Sequence, residues 1–527
     1  MTQQACIIHQ LHFELGSTVL FDQLDFQLNR HQLTGLIGRN GQGKSQLLQC
    51  LLTQKNITGQ VAWNCAYAFL PQQHQLTNQT IAQVLQIEDT LKALKRIECG
   101  QATFEDYDLA EGNWNLPQYW QEQLSKAGLT TAFDFPVTAL SEGQKTKLAL
   151  CRLFNLKDHY LLLDEPSNHL DASGRDWLIS SLLAHPMGAL VASHDRQLLN
   201  QMQHILALDN FGLHAHSGNY AHYKQITDTV ETALELSINQ HKRELKQQTI
   251  KQHETLMKQQ KKQSTAKKKR NSGSQAKVIL DFKQNKANQQ LGQITRQQYR
   301  QLEFQKEALR DKTSRLEVIK AQQFEFSSTQ PQSGELVRLN GVLHPYHCNL
   351  TFHFALLAHE KLHLCGENGA GKSTLLHLIA RLHTSDDFLF FKRARCLYLD
   401  QRFSFLDSRY SAVENLRLLN SEYDEVFWRN KLGQLSLRGD STLRPIAQLS
   451  GGEQLKVALT ALAYPAESID LLLLDEPENY LDIVSRELLA CAIRDFKGAV
   501  ILVSHDVDFV RQCGIHQEIH MSEVIKA

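Results

Sequence analysis

The sequence predicts an α/β protein in two tandem copies, joined by a long α-helical hairpin linker. Three observations carry this. Two glycine-rich loops of the same spacing occur far apart in the 527 residues, Gly38-Arg39-Asn40-Gly41-Gln42-Gly43-Lys44-Ser45 and Gly366-Glu367-Asn368-Gly369-Ala370-Gly371-Lys372-Ser373. Each lies between a short continuous apolar run and a helical pattern, as expected of a buried parallel strand feeding a helix. Between the copies runs a proline-free stretch rich in Gln, Lys, Glu, Leu and Arg, all good helix formers.

In the first copy the run Leu33 to Ile37 enters the loop and Ser45 to Leu52 leaves it. In the second, Lys361 to Cys365 and Ser373 to Leu382 do the same. Further strands are expected at Leu161 to Asp164 and Leu471 to Asp475, then at Ala189 to Ser193 and Ala499 to Ser504. Length and repeat together divide the chain into residues 1–226, 227–330 and 331–527. Residues 88–124, with Trp114 and Trp120, make the first copy longer than the second and read as a short arm-like insertion or a longer helical subdomain.

The linker reads as two helices that break near Ser264 to Ser274, with a solvated tether as the alternative. Leu302, Leu309 and Leu316 are heptad-spaced and favour helix-on-helix, coiled-coil-like packing.

Net charge is zero, yet residues 241–320 hold 21 Lys and Arg against 7 Asp and Glu, a local net of +14. A basic helical segment between neutral-to-acidic domains points to an anionic partner. The longest apolar runs are of strand length, too short to span a bilayer. No basic-then-apolar leader is seen, and ten scattered cysteines without a Cys-x-x-Cys pair read as buried hydrophobes in a reducing compartment, the cytoplasm.

The loops have the chemistry of phosphate binding. Small residues let backbone N–H groups curl around an anion at a helix N-terminus. Lys44 and Lys372 would neutralise the β and γ oxygens of ATP, and Ser45 and Ser373 would hold Mg²⁺. Asp164 and Asp475 end apolar strands where a carboxylate can support the hydrated ion. Glu165 and Glu476, next in sequence, are placed to polarise or orient an attacking water. His194 and His505, each within Ser-His-Asp, can sense a terminal phosphate; a merely structural histidine is the alternative, which the repeat disfavours.

Shorter segments carry a family resemblance. Leu140-Ser141-Glu142-Gly143-Gln144 and Leu449-Ser450-Gly451-Gly452-Glu453 resemble the signature motif of ATP-binding cassette ATPases. Phe69-Leu70-Pro71-Gln72 and Tyr398-Leu399-Asp400-Gln401 resemble its Q-loop, and Asn168-His169-Leu170-Asp171 and Asn479-Tyr480-Leu481-Asp482 its D-loop. The resemblance covers about 400 residues, with every motif in order.

It implies that the signature of one cassette caps the ATP held by the loop of the other. One ATP site would then combine Gly38, Asn40, Gly41, Gly43, Lys44, Ser45, Gln46, Gln72, Asp164, Glu165 and His194 with Ser450, Gly451, Gly452 and Glu453. The other would combine Gly366, Asn368, Gly369, Gly371, Lys372, Ser373, Thr374, Gln401, Asp475, Glu476 and His505 with Ser141, Gly143 and Gln144. Gln72 and Gln401 would join the serines and aspartates around Mg²⁺, directly or through water. Glu142 stands where the signature usually has glycine, which would weaken one site by repulsion unless its side chain points away.

Tandem cassettes with a basic helical linker and no membrane span resemble the ABC-F family of ribosome-associated ATPases. Gly218-Asn219-Tyr220-Ala221-His222-Tyr223 is similar to a segment common there, and Lys267-Lys268-Lys269-Arg270 to its linker in character. The resemblance implies a monomer with intramolecular cassette pairing. In its ATP-closed state it would bind ribosomal and transfer RNA, with the linker toward the tRNA exit site and peptidyl-transferase region. There it would modulate translation or protect against antibiotics, and leave on hydrolysis. The energy subunit of a membrane transporter is the alternative. A DNA clamp would need very long coiled coils or zinc-binding cysteine motifs.

Overall fold

The computed structural model describes residues 3–15, 18–72, 79–209, 212–270, 334–343, 350–366, 370–381, 389–392, 394–400, 403–435, 437, 439–479, 481–521 and 525–526. Met1–Tyr220 and Ala321–Ala527 together form one compact unit, and Ala221–Lys320 a second.

Within the first unit, each half is built on a parallel sheet. In the first half the order runs Ala66–Leu70, His159–Asp164, Gly188–Ala192, Gln32–Gly38, His204–Asp209 and Gly212–Ser217, the last strand antiparallel. In the second it runs Cys396–Leu399, Leu471–Asp475, Ala499–Val503, Lys361–Cys365 and Gln517–His520. The central strands are continuous apolar runs because both faces are covered: Leu471 to Leu474 are at most 1% exposed. Each glycine loop leaves its strand at the carboxyl edge, the edge where Asp164 and Asp475 also end theirs. Ligands of open α/β sheets gather at that edge.

An antiparallel sheet lies beside each parallel one. In the first half it pairs Gln4–Leu15 with Thr18–Asn29 and Ile57–Trp63; in the second, Glu335–Leu343 pairs with Leu350–Leu357 and Leu389–Lys392. A helical layer completes each half. Residues 88–126 fold as three helices, Glu88–Glu98, Phe104–Ala110 and Leu116–Lys126. Trp120 and Leu124 are buried with Leu148 and Cys151 of the helix Glu142–Phe154, whereas Trp114 is exposed. The smaller second layer is centred on Trp428, which is wholly buried in one cluster with Leu455.

In the second unit a single helix is described, continuing Tyr220–Arg270 over 51 residues, about 75 Å at 1.5 Å per residue. It begins at Tyr220, earlier than the Gln/Lys composition alone would place it, and runs through Ser264 and Thr265 without a break. The remainder of the expected hairpin, with Leu302, Leu309 and Leu316, lies outside the described residues.

Candidate functional site

Both glycine loops use backbone that side chains disfavour. Gly41 and Gly43 have φ of 81° and 93°, and Gly371 has 92°, a region glycine enters without steric cost. The chain can therefore turn sharply into the helices Lys44–Thr53 and Lys372–Arg381. Lys44 Nζ lies 2.8 Å from Gly38 O and Lys372 Nζ lies 2.7 Å from Gly366 O, so each lysine spans its own loop. Both lysines are buried, and burial lowers their pKa against the nearby carboxylates. Gln46 and Thr374 sit beside Ser45 and Ser373 in the first helical turns. Asn368, Gly369 and Gln401 lie outside the described residues, and Gln72 is exposed just past its strand.

Ser45 lies close enough to Asp164 to favour its ionised form, and Ser373 does the same for Asp475. Burial raises both aspartates. These are hard oxygen donors of the kind that suits Mg²⁺, which keeps several waters and takes one or two carboxylates. The second site has one more partner: Tyr398 donates its hydroxyl to Asp475 Oδ2 at 2.9 Å. At the matched position of the first half stands Phe69, since Phe69 pairs with Leu162 as Tyr398 pairs with Leu473.

Glu165 and Glu476 are strained in the same way, with φ of 51° and 45°. Left-handed backbone at a non-glycine residue costs of order 1–3 kcal/mol and concentrates at functional positions. Glu165 is buried, and burial pushes its carboxyl up to about 7 despite Lys44 and Arg486. Its Oε1 lies 3.4 Å from His194 Nε2. Neither that oxygen nor the ring nitrogens of His194 has a hydrogen-bond partner among the described residues. Burial, then Lys44 and Arg486, hold His194 well below the ordinary histidine range. Glu476 differs. Burial raises it, but His505, Asn479 and Lys372 together outweigh this and hold it below the usual glutamate value. Asn479 donates to its Oε2 at 2.7 Å, and His505 Nε2 lies 3.3 Å from Oε1.

The signature motifs start helices. Ser141 and Ser450 are N-caps of Glu142–Phe154 and Gly451–Ala463, each in a reciprocal capping box. The side chains of Gln144 and Glu453 close those boxes, accepting from the serine N–H at 3.0 and 2.9 Å. Gly143 and Gly452 permit close approach: a Cβ at the first would strike the His169 carbonyl, and at the second would lie 2.7 Å from Ser485 Oγ. The Glu142 carboxylate is 2.7 Å from Lys145 Nζ on the helix surface.

The two halves meet loop to signature side. The Asn40 N–H of the first glycine loop donates to Asp482 Oδ2 of the second half at 2.9 Å. Lys456, on the second signature helix, is lowered by burial and then by Arg39 of that same loop. Reciprocally, Asp171 of the first half acts electrostatically on Lys372. Two arginines cross in matched fashion. Arg175 donates to the His505 carbonyl at 3.3 Å, and Arg486 donates to the His194 carbonyl at 3.3 Å. Each also faces its own half's aspartate, Arg175 with Asp195 at 3.7 Å and Arg486 with Asp506 at 3.4 Å. Arg196 and Glu487 add an ion pair at 2.7 Å that has no counterpart among the described residues. Sequence reading missed both arginines, although each stands four residues after its D-loop aspartate in both copies. It also missed the contrast of Phe69 with Tyr398.

Comparison with known proteins agrees with this geometry. The profile of the ABC transporter family matches residues 21–168 and 350–479. The chain belongs to the ATP-binding cassette family. Its relatives assign it to the F type. It is 29% identical over 540 residues to ATP-binding cassette sub-family F member 3 of Mus musculus, covering 96% of this chain and 69% of that protein. It is 27% identical to the putative ATP-binding protein YdiF of Bacillus subtilis (strain 168), covering 96% and 78%, and 26% identical to the probable ATP-binding protein YheS of Escherichia coli (strain K12), covering 96% and 77%.

The fold resembles that of the RNase-L inhibitor, with a TM-score of 0.56 at 15% identity over 96% of this chain and 86% of that one. It also resembles a structure described as the complex of the archaeal ribosomal stalk protein aP1 and the archaeal ribosome recycling factor aABCE1. There the TM-score is 0.57 at 15% identity, over 96% and 85%. This ABC-F protein is therefore an ATPase with two tandem cassettes. No helix among its described residues is long and apolar enough to cross a membrane.

Proposed function

We propose that this ATPase binds ribosomes while ATP holds its cassettes closed and releases them on hydrolysis. The observation that carries the proposal is the pairing of two facing half-sites with one basic helix in a single chain. ATP binds a closed pair more tightly when it touches the loop of one cassette and the signature of the other, so nucleotide shifts the population toward closure. Magnesium supplies charge neutralisation at the β and γ phosphates when bound. Ser45 with Asp164, and Ser373 with Asp475, provide its protein ligands or hold its waters. Lys44 and Lys372 leave their loop carbonyls for phosphate oxygens, and Glu165 and Glu476 accept or orient the attacking water.

The anionic partner is argued from charge. Residues 241–270 of the long helix carry 11 Lys and Arg against 2 Asp and Glu. A helix of this kind gains affinity by releasing counterions from RNA phosphates, largely without reading sequence. Ribosomal and transfer RNA fit that chemistry, and the family resemblance directs the linker to the tRNA exit site. Easing of stalled elongation or antibiotic protection would follow from that placement. Two of the fold neighbours come from complexes with ribosomal components, but at 15–16% identity that likeness concerns fold, and the proposal does not rest on it.

The test replaces Glu165 and Glu476 together with Gln and sediments lysate on sucrose with and without ATP. Co-migration with ribosomes only with ATP, weakened when Lys267, Lys268, Lys269 and Arg270 are neutralised, is expected. Migration with membranes would overturn the proposal in favour of a transporter subunit.

A further inference from the structure

A cluster outside both nucleotide sites has the donor set of a metal centre. His363 and Cys365 stand two apart on the strand Lys361–Cys365, which ends at the second glycine loop. Glu518 is the register partner of His363 on the neighbouring parallel strand Gln517–His520. One donor atom from each lies within 4.8 Å of the others. Cys365 Sγ is 3.2 Å from His363 Nδ1, and the same nitrogen is 3.5 Å from Glu518 Oε1. A tetrahedral zinc ion with bonds of 2.0–2.3 Å keeps its ligand atoms about 3.3–3.6 Å apart, close to the thiol–imidazole and imidazole–carboxylate separations. His363 is buried, Cys365 half-buried and Glu518 exposed, which leaves an approach from solvent.

The outer contact supports the same reading. His363 Nε2 lies 2.9 Å from the Ser504 carbonyl, which can only accept, so that nitrogen carries a proton. In the neutral ring Nδ1 then holds the lone pair, with Glu518 Oε1 3.5 Å away; Cys365 Sγ lies 3.2 Å from Nδ1 and 3.7 Å from Nε2, beside the ring, so rotation of the Cys365 side chain would bring the thiol to the same point. Metal-binding histidines commonly fix their second nitrogen on a backbone carbonyl in this way. A thiol–imidazole hydrogen bond would explain the Cys365–His363 pair alone. It does not account for the Glu518 carboxylate beside the same nitrogen, where a bound cation or a proton on Nδ1 would supply the positive charge. The cassette fold does not demand these residues either. The matched positions of the first half are Gly35, Ile37 and Ile205, none of which offers a donor.

We propose that His363, Cys365 and Glu518 form a binding site for a thiophilic divalent cation of the zinc class. Thiolate and imidazole select zinc over magnesium, which prefers an all-oxygen set. Burial and Glu518 push the free thiol up to about 11, so binding releases the Cys365 proton. Cys365 adjoins Gly366 and Ser504 adjoins His505, which puts the ion against two edges of the second nucleotide site.

The test titrates the nucleotide-free full chain with Co²⁺, a spectroscopic stand-in for Zn²⁺. One equivalent per chain with thiolate-to-cobalt charge-transfer absorption is expected, displaced by Zn²⁺. Cys365→Ser should abolish the band, and Glu518→Gln, at an exposed position compatible with folding, should weaken affinity about tenfold or more. The magnesium positions hold no thiol and give no such band. The proposal is overturned by absence of the band, by its persistence in Cys365→Ser, or by unchanged affinity in Glu518→Gln; a protonated His363 would then bridge the thiol and the carboxylate.

Discussion

The two nucleotide half-sites share every motif, and they hold their glutamates in different states. Glu165 is sealed in, with its pKa near 7, beside a histidine that burial keeps neutral. Glu476 is about one-fifth exposed, anchored by Asn479 and His505, and stays ionised below the usual glutamate range. A similar contrast surrounds the aspartates: Tyr398 braces Asp475, whereas Phe69 offers Asp164 nothing. The lesson is that one set of motif letters specifies the chemistry, while burial and neighbours set the working pH of each copy.

Replacing both glutamates, as Glu165→Gln with Glu476→Gln, should have the largest effect, since a positioned base contributes about 10²–10⁴-fold. Steady-state phosphate release should fall by that order, while filter-bound ATP is retained. The single variants separate the copies. With Glu476→Gln only Glu165 works, so turnover should rise with pH through about 7. With Glu165→Gln only Glu476 works, and the profile should stay flat down to about pH 6. A difference of about tenfold near pH 6 is expected, because a group one unit below its pKa is about one-tenth ionised. Identical profiles would erase the comparison.

The raised pKa of Glu165 also affects stability. The folded chain binds that proton more tightly than the unfolded one, so this group's contribution falls as pH climbs from 4.5 towards about 7. Glu165→Gln should therefore stabilise the nucleotide-free protein against urea at about pH 8, by roughly 3 kcal/mol, whereas Glu476→Gln should not.

The crossing arginines sharpen the symmetric side of the comparison. Arg175→Ala and Arg486→Ala should each lower ATP turnover about tenfold to a hundredfold and by similar factors, because each removes one matched inter-cassette hydrogen bond, worth about 1.5–3 kcal/mol for a charged donor. A large effect from only one would show that closure is carried from one side. The smallest effect belongs to Tyr398→Phe. It should raise the Mg²⁺ concentration for half-maximal activity about twofold to fivefold, the low end of what one hydrogen bond contributes, about 0.5–1 kcal/mol. Phe69→Tyr should move the other copy the opposite way.

Much of this site was legible from residue order. The glycine loops, acid pairs and strand-end histidines are local patterns, and duplication made each reading check the other. The strands at Leu161 to Asp164 and Leu471 to Asp475 were equally plain, because a strand buried on both faces is an unbroken apolar run. What sequence could not give was the environment. Nothing in Asp-Glu-Pro, present in both copies, says that Glu165 is buried with no hydrogen-bond partner at Oε1 among the described residues and that Glu476 is anchored. The outward turn of Glu142 toward Lys145 follows from helix surface geometry, not from its place in a motif. Arg175 and Arg486 looked like ordinary helix residues, since their partners lie in the other half of the chain. Composition also suggested a break at Ser264 to Ser274; the helix carries through Ser264 and Thr265 to Arg270, as serine and threonine are only mildly unfavourable in its interior, and the rest of that stretch lies outside the described residues.

The most direct test of composite sites counts ATP retained per chain in the Glu165→Gln, Glu476→Gln background. Ser450→Arg blocks the second signature, while Lys44→Ala or Lys372→Ala disables one loop. If each ATP is held by the loop of one cassette and the signature of the other, Ser450→Arg with Lys44→Ala damages a single site and leaves one ATP. Ser450→Arg with Lys372→Ala then leaves none. The reverse result, none for the first pair and one for the second, would mean that each cassette binds its nucleotide alone, contradicting the account.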